Sequence, residues 1–81
     1  MIINKYDEKI LHIILENGQV DLDTIKKKFW EGLSEDEVYH VNLGDNVTKL
    51  YLAEYIRKAQ SYGGYALTRK GKRYITEEVE A

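Results

Sequence analysis

Six basic side chains cluster in the second half of the sequence, and their chemistry suits phosphate groups. Lysine offers a point charge and arginine a planar fork of donors, and both match the oxygens of a nucleic-acid backbone. Between residues 46 and 74, seven basic residues stand against Glu54 alone, a net charge of +6, although the whole chain carries −2. This pattern allows either a phosphate-binding face or an ordinary solvated surface. The six residues are Arg57, Lys58, Arg69, Lys70, Lys72 and Arg73.

Other kinds of chemistry find little support. His12 and His40 have no carboxylate at ligand spacing, and the chain has no cysteine, so we expect neither a metal site nor a cofactor. The carboxylates at 35–37 resemble a catalytic pair, but the first turn of a capped helix explains them better. No phosphate-binding loop is present, because Arg73 follows Lys72 where that motif needs serine or threonine. We therefore expect no enzymatic activity.

Length and composition favour one domain over residues 1–81. An apolar fraction of 43% is enough for a core, and the charged residues, 32% of the chain, are well mixed with the apolar ones. We expect no signal peptide, because no long apolar stretch follows a cationic start. No run of about 18 apolar residues could span a membrane. Together with the lack of cysteine, these features favour a cytoplasmic protein.

The first half of the chain predicts three helices. Asn4 caps the first, which carries an apolar stripe and ends at Asn17-Gly18. Residues 19–21 alternate and could add a short strand, and Asp21 caps a second helix that runs to about Trp30. Residues 31–45 then form an extra helical segment with a Ser-x-x-Glu capping box at its start.

The second half predicts a helix and a hairpin. Residues 42–46 favour a turn, so the helix begins near Asn46, with Leu50 and Tyr51 inward and Lys49 outward. Residues 55–62 fit a helix or a strand. Gly63-Gly64 favours the strand, because both glycines accept the positive φ of a two-residue hairpin turn.

The hairpin returns over residues 65–67 and leads to a last helix. Tyr62 and Tyr65 are expected to face each other across the turn as an aromatic pair. Thr68 then caps a C-terminal helix over about 69–79. The predicted order is helix, short strand, three helices, hairpin and helix.

Several of these segments resemble the small winged helix-turn-helix DNA-binding domains. In that family a recognition helix leads into a Gly-containing hairpin, the wing, and residues 47–56 and 63–65 are similar to these parts. The resemblance implies a mainly α fold with a small β-hairpin: a three-helical core plus a wing at about 55–68. The family pattern Leu-Thr-x-Lys-Gly-x-x-Tyr-Ile matches at Leu67, Thr68, Lys70, Gly71, Tyr74 and Ile75.

The resemblance also implies which side chains would contact DNA. Asn46, Thr48 and Lys49 would point outward from a helix that enters the major groove. There asparagine pairs with adenine and lysine with guanine or phosphate; alternatively, Asn46 only caps the helix and Lys49 is solvated. The six basic residues would contact phosphates, and Tyr62 and Tyr65 at the tip of the wing could stack on bases.

Two functions remain open on these grounds. The resemblance implies a transcriptional regulator that binds double-stranded DNA, as a homodimer because two-fold regulators read two half-sites. The alternative is a protein–protein interaction module without DNA binding, with its partner at 31–45, because one fold serves several functions. The acidic total charge and the extra segment favour the module, whereas the basic window and the wing favour DNA.

Overall fold

A computed structural model describes residues 3–59 and 64–80, which are mainly helical with a small three-stranded antiparallel sheet. The predicted types of the elements are confirmed, and so are most of their boundaries. Along the chain the elements are α1 (Lys5–Asn17), β1 (Gln19–Val20), α2 (Leu22–Trp30), α3 (Glu35–His40), α4 (Leu43–Leu52), β2 (Ile56–Lys58), β3 (Tyr65–Leu67) and α5 (Arg69–Glu80).

Polar caps fix both ends of α1. The side chain of Asn4 accepts hydrogen bonds from the backbone N–H groups of Tyr6 and Asp7, and Asp7 Oδ2 accepts one from the N–H of Asn4 at 3.0 Å. At the other end Gly18 takes a φ of +78°, and its N–H donates to the carbonyl of Ile14. The predicted cap and stop of this helix are therefore confirmed.

Side-chain caps also fix the starts of α2 and α3. Asp21 accepts a hydrogen bond from the N–H of Thr24 at 2.7 Å. Hydrogen bonding with the side chain of Thr24, and then with its backbone, holds the pKa of Asp21 below its ordinary value. Ser34 and Glu37 form the reciprocal bonds of a capping box. Between the two helices Gly32 takes a φ of +81°, a conformation that glycine adopts without strain. The predicted caps of both helices are confirmed.

The predicted start of α4 is wrong. The helix begins at Leu43 rather than near Asn46, because Asn42 is its N-cap and accepts the N–H of Asp45 at 3.2 Å. Asn42 and Asn46 are both capable caps, and the sequence does not distinguish them. The supposed turn at 42–46 is therefore mostly helix, and the extra segment of 31–45 contains one short helix and the first turn of α4.

The sheet has the order β1-β3-β2, so the return strand of the hairpin is central. Ala66 pairs with Gln19 on one side and with Arg57 on the other. Lys58 pairs with Tyr65, and the N–H of Ala59 donates to the carbonyl of Gly64, so the pairing of the two strands already includes Gly64. The predicted two-residue turn at Gly63-Gly64 is therefore wrong. Gly64 lies within the paired part of the hairpin, and Gly63 lies outside the described residues.

The core lies between the helices and one face of the sheet. It receives fully buried side chains from α1, α2, α4, β2 and α5. Four helices therefore contribute to the core, where the sequence predicted three. None of the residues of α3 is buried, so this helix adds no buried side chain to the core. The largest fully buried apolar side chains are Phe29, Ile10, Leu11, Ile14, Ile25, Leu50, Ile56 and Ile75.

Candidate nucleic-acid interface

The end of α4, β2 and the start of α5 enclose an open groove of about 590 Å³, which we call the basic groove. Three of the predicted phosphate-contact residues line it: Arg57, Arg69 and Lys70. All three are exposed. The structure thus brings together cations from β2 and α5, two segments that β3 separates along the chain. The other lining residues are Tyr51, Leu52, Glu54, Ile56 and Thr68.

A tight turn after α4 directs the chain into this groove. Glu54 has a φ of +67°, and the N–H of Tyr55 donates to the carbonyl of Leu50 at 3.0 Å. Thr68 Oγ1 donates to the carbonyl of Glu54 at 2.5 Å. The backbone N–H of Thr68 donates to the carbonyl of Tyr55. Thr68, the residue before α5, is therefore hydrogen-bonded to the turn that precedes β2.

Two further contacts hold the first turn of α5 in place. Thr68 Oγ1 accepts the N–H of Gly71 at 3.0 Å, which confirms the predicted cap. Gly71 lies against the backbone of Tyr55, where an added Cβ would collide with the carbonyl oxygen. The close approach explains why glycine occupies this position and why Arg69 and Lys70 lie beside β2.

Contacts within the chain orient the side chains of Lys58 and Lys70. Lys70 Nζ donates to the carbonyl of Ala53 at 2.9 Å and lies 4.6 Å from the centre of the Tyr55 ring. Lys58 Nζ lies 5.5 Å from the centre of the Tyr51 ring. A cation near carbonyls at the end of a helix and over aromatic faces is favourably placed. Both lysines are exposed, so their charges remain at the surface, and these contacts fix the direction of each side chain.

The remaining cations extend the surface away from the groove. Arg57 also lines a second, smaller groove of about 230 Å³, where Lys72 is the other cation. Arg73 is exposed on α5 next to Lys72. Arg57 therefore belongs to both grooves and lies between the cations of the first and second turns of α5. We call the exposed surface of all six basic residues the basic face.

The expected outward positions of Asn46 and Lys49 are wrong. Asn46 Nδ2 donates to Asp7 Oδ1 at 2.7 Å, and Lys49 Nζ lies 2.6 Å from Asp7 Oδ2. Asp7 is fully buried, and a buried carboxylate needs such partners. Both side chains of α4 therefore bind α1, and Asn46 is not the helix cap.

The outer face of α4 carries Thr48, as expected, together with two side chains that the sequence did not indicate. Leu52 is 73% exposed, and Tyr51, expected in the core, is 42% exposed. Leu52 follows Thr48 by four residues, so helical spacing places both on one face. That spacing was the signal available in the sequence. The outer face of α4 is therefore partly apolar where it borders the basic groove.

The aromatic residues expected at the wing are only partly described. Tyr65 is half-buried, with Val20 and Lys58 as its partners in the sheet. Its partner across the hairpin is Lys58, and the expected aromatic pair involves a residue that the structure does not describe. Tyr62 lies outside the described residues. Tyr65 packs against the core and forms part of the central strand.

A second surface lies beyond the other end of α4. A groove of about 480 Å³ runs between α2 and the segment from Val38 to Gly44, with Leu22 and Trp30 on its wall. Tyr39 beside it is 85% exposed. Apolar side chains share its lining with Lys26, His40 and Asn42, and the groove borders the 31–45 segment that the sequence singled out.

Comparison with known proteins does not place the chain in a family. No protein-family model matches it, and no curated protein sequence is significantly similar to it. Among the residues the structure describes, no helix has both the length and the apolar character needed to cross a bilayer. The same residues contain no group of three or more histidine, aspartate or glutamate side chains able to hold a metal ion.

Proposed function

We propose that this chain is a winged helix-turn-helix domain that binds double-stranded DNA. The order of the elements supports this reading of the fold: a helix, a short strand, α2 to α4, a hairpin and a final helix. The hairpin takes the place of the wing, and α4 that of the recognition helix. The fold alone leaves function open, so the proposal depends on the surface.

The observation that carries the proposal is the convergence of β2 and α5 on one basic face. Arg57, Arg69 and Lys72 are exposed there and lie around grooves that share Arg57. Phosphates lie at regular spacing along a duplex, and each neutralised phosphate releases counterions. A rigid array of cations suits that target better than isolated charges do.

The structure also suggests a division of roles. Arg57, Arg69, Lys72 and Arg73 are proposed as phosphate contacts, and Lys58 and Lys70 as cations that add to the local potential. Thr48 is the remaining candidate of the α4 outer face for contact in a groove. Asn46 and Lys49 bind Asp7 instead. In this proposal the protein is a non-enzymatic regulator in the cytoplasm and acts as a homodimer.

A salt titration with matched variants tests the proposal. Fluorescence anisotropy of a labelled random duplex should show binding by the parent protein at about 50 mM salt, where attraction is strong. The variant Arg57→Gln/Lys72→Gln should bind more weakly. The negative slope of log affinity against log salt should become less steep by about 0.9 for each phosphate that the variant no longer neutralises. The control Lys27→Gln/Lys28→Gln removes the same charge from exposed positions on α2.

The two variants separate a local contact from net charge. If the control loses as much affinity and slope as the test variant, the basic face has no special role. If the parent protein binds no duplex at this salt concentration, the DNA proposal fails. Circular dichroism of both variants should match the parent, because all four side chains are exposed.

The second candidate is an interaction module that does not bind DNA. The absence of any buried residue in α3 favours it, since this helix contributes little to the core and presents Val38 and Tyr39 to solvent. The module predicts the opposite ranking: no duplex binding by the parent protein, and loss of a protein partner when 31–45 is altered.

A further inference from the structure

The surface around α3 combines an apolar ridge with a groove directly beside it. Val38 and Tyr39 form the ridge, which we call the α3 ridge. Both residues line the groove of about 480 Å³ whose opposite wall includes Leu22 and Trp30. A projecting aromatic residue and an apolar groove thus lie side by side on one surface.

Polar contacts hold α3 on the domain from its other side. Tyr6 Oη donates to Glu37 Oε2 at 2.8 Å, and Lys5 Nζ lies 3.7 Å from the same oxygen. Leu33 and Val41, at the two ends of the helix, pack against the core. The helix is therefore fixed at its ends and on one side, and its apolar side chains are left outward. Exposed apolar patches of this kind are typical of interaction surfaces.

Charges of opposite sign flank the ridge. Lys26 lines the larger groove on the α2 side, and Glu35 lines a smaller groove of about 300 Å³ on the far side of the ridge. Both are exposed. The surface therefore has a cationic edge, an apolar centre and an anionic edge.

We infer that this face binds a second copy of the same chain in a two-fold symmetric dimer. In such an interface each surface patch meets itself after a half-turn, so a ridge must find a groove and a cation an anion within one patch. The α3 face meets both requirements. Tyr39 of each copy enters the other's groove, and Lys26 of each copy meets Glu35 of the other.

The dimer leaves the basic face open. Leu43 and Gly44, at the start of α4, line the groove beside the ridge, whereas Leu52, at its end, lines the basic groove. The 10 residues of α4 separate the two surfaces by about 15 Å at 1.5 Å per residue. The use of this dimer to read two half-sites rests on the proposed function, but dimer formation does not.

The oligomeric state tests the inference without DNA. Sedimentation equilibrium of the whole chain, up to about 1 mM, detects dimers with dissociation constants near 0.1 mM. The parent protein should dimerise, and Tyr39→Ser should raise the dissociation constant more than about tenfold, as expected for a central aromatic contact. Leu52→Ser is the matched control, because it removes an exposed apolar side chain at the other end of α4.

Charge reversal tests the two-fold geometry. Lys26→Glu and Glu35→Lys should each weaken the dimer, because each places like charges together twice. The double variant should restore it, and so should an equal mixture of the two single variants, since opposite charges then meet in both contacts. A monomeric parent protein overturns the inference, and the face is then left to a different partner. A dimer insensitive to Tyr39→Ser, or a double variant no better than the single ones, overturns it as well.

Discussion

Lys49 Nζ lies 2.6 Å from Oδ2 of Asp7, a fully buried carboxylate in the first turn of α1. Asn46 binds the other carboxylate oxygen, and the N–H of Asn4 donates to Oδ2. One aspartate therefore completes the capping box of α1 and also receives two side chains of α4. The rotation of α4 against α1 is fixed by this polar contact as well as by apolar packing.

Replacement of Lys49 should destabilise the fold. Lys49→Met leaves the Asp7 carboxylate buried without its cation, and we expect a loss of about 2–3 kcal/mol in the free energy of unfolding, the range for a buried group that loses its partner. The Lys49 side chain is 36% exposed, so water limits the cost. Urea titration measures it.

The control for this experiment is Lys27→Met, on the exposed side of α2. It should change stability by no more than about 0.5 kcal/mol. Equal effects of the two substitutions would contradict the structural role of Lys49. From the sequence alone Lys49 was expected to point outward, away from any buried group.

Two leucines of α4 should differ sharply in their contribution to stability. Leu50 is fully buried and Leu52 is mostly exposed. Leu50→Ala should cost about 2–5 kcal/mol through reduced burial and a residual cavity, whereas Leu52→Ala should stay within about 0.5 kcal/mol. Thermal melts compare the two variants, which both replace leucine by alanine. A reversed order would mean that α4 is rotated about its axis.

The hydrogen bond between Tyr6 and Glu37 should make stability depend on pH at both extremes. It is the main cause that lowers the pKa of Glu37 below its ordinary value of 4.5 and raises the pKa of Tyr6 above its ordinary value of 10.0. In acid the unfolded chain binds more protons at Glu37, so this stabilisation is complete above pH 4.5 and is lost as pH falls through the lowered value.

In alkali the relation is reversed. The folded state keeps the proton of Tyr6 more tightly, so its contribution is complete below pH 10.0 and is lost as pH rises through the raised value. Tyr6→Phe should reduce the dependence of the urea midpoint on pH in both windows. Tyr39→Phe, which removes an exposed hydroxyl, should leave both unchanged. An unaltered profile in Tyr6→Phe would contradict the contact.

Gly71 should tolerate no side chain. A Cβ there would collide with the carbonyl oxygen of Tyr55, which is backbone and cannot move aside cheaply. Gly71→Ala should therefore destabilise the protein by about 1–3 kcal/mol, as overpacking does, although alanine favours helices. Lys72→Ala, exposed on the next position, should be nearly neutral. A Gly71→Ala variant with a raised melting temperature would contradict the close approach.

Much of the fold could be predicted from residues that act locally. Asn4, Asp21, Ser34 and Thr68 cap helices through side chains that reach two or three residues along the chain. Gly18 ends α1 because its own backbone adopts a positive φ. Such interactions depend on a few neighbouring residues, so the sequence is sufficient to place them.

Features set by distant residues were harder to predict. The inward positions of Asn46 and Lys49 depend on Asp7, far away in sequence, and a buried polar cluster breaks the rule that charged residues lie outside. The hairpin register depends on how Ile56 and Ala66 meet the core, which outweighed the turn preference of two glycines. The basic face was predicted residue by residue, but its apolar border at Leu52 was not.

The position of β3 between the other two strands limits when the chain can fold during its synthesis. β1 has only two residues, and its partners in β3 are Tyr65 and Ala66, far along the sequence. Until Ala66 has left the ribosome, Gln19 and Val20 have no strand to pair with, and Ile75 of the core arrives later still. Closing so long a loop carries an entropic cost before any contact repays it. The nascent domain should therefore stay incomplete, with the parts of α1 that contact β3 and α5 uncovered, until Ile75 has emerged.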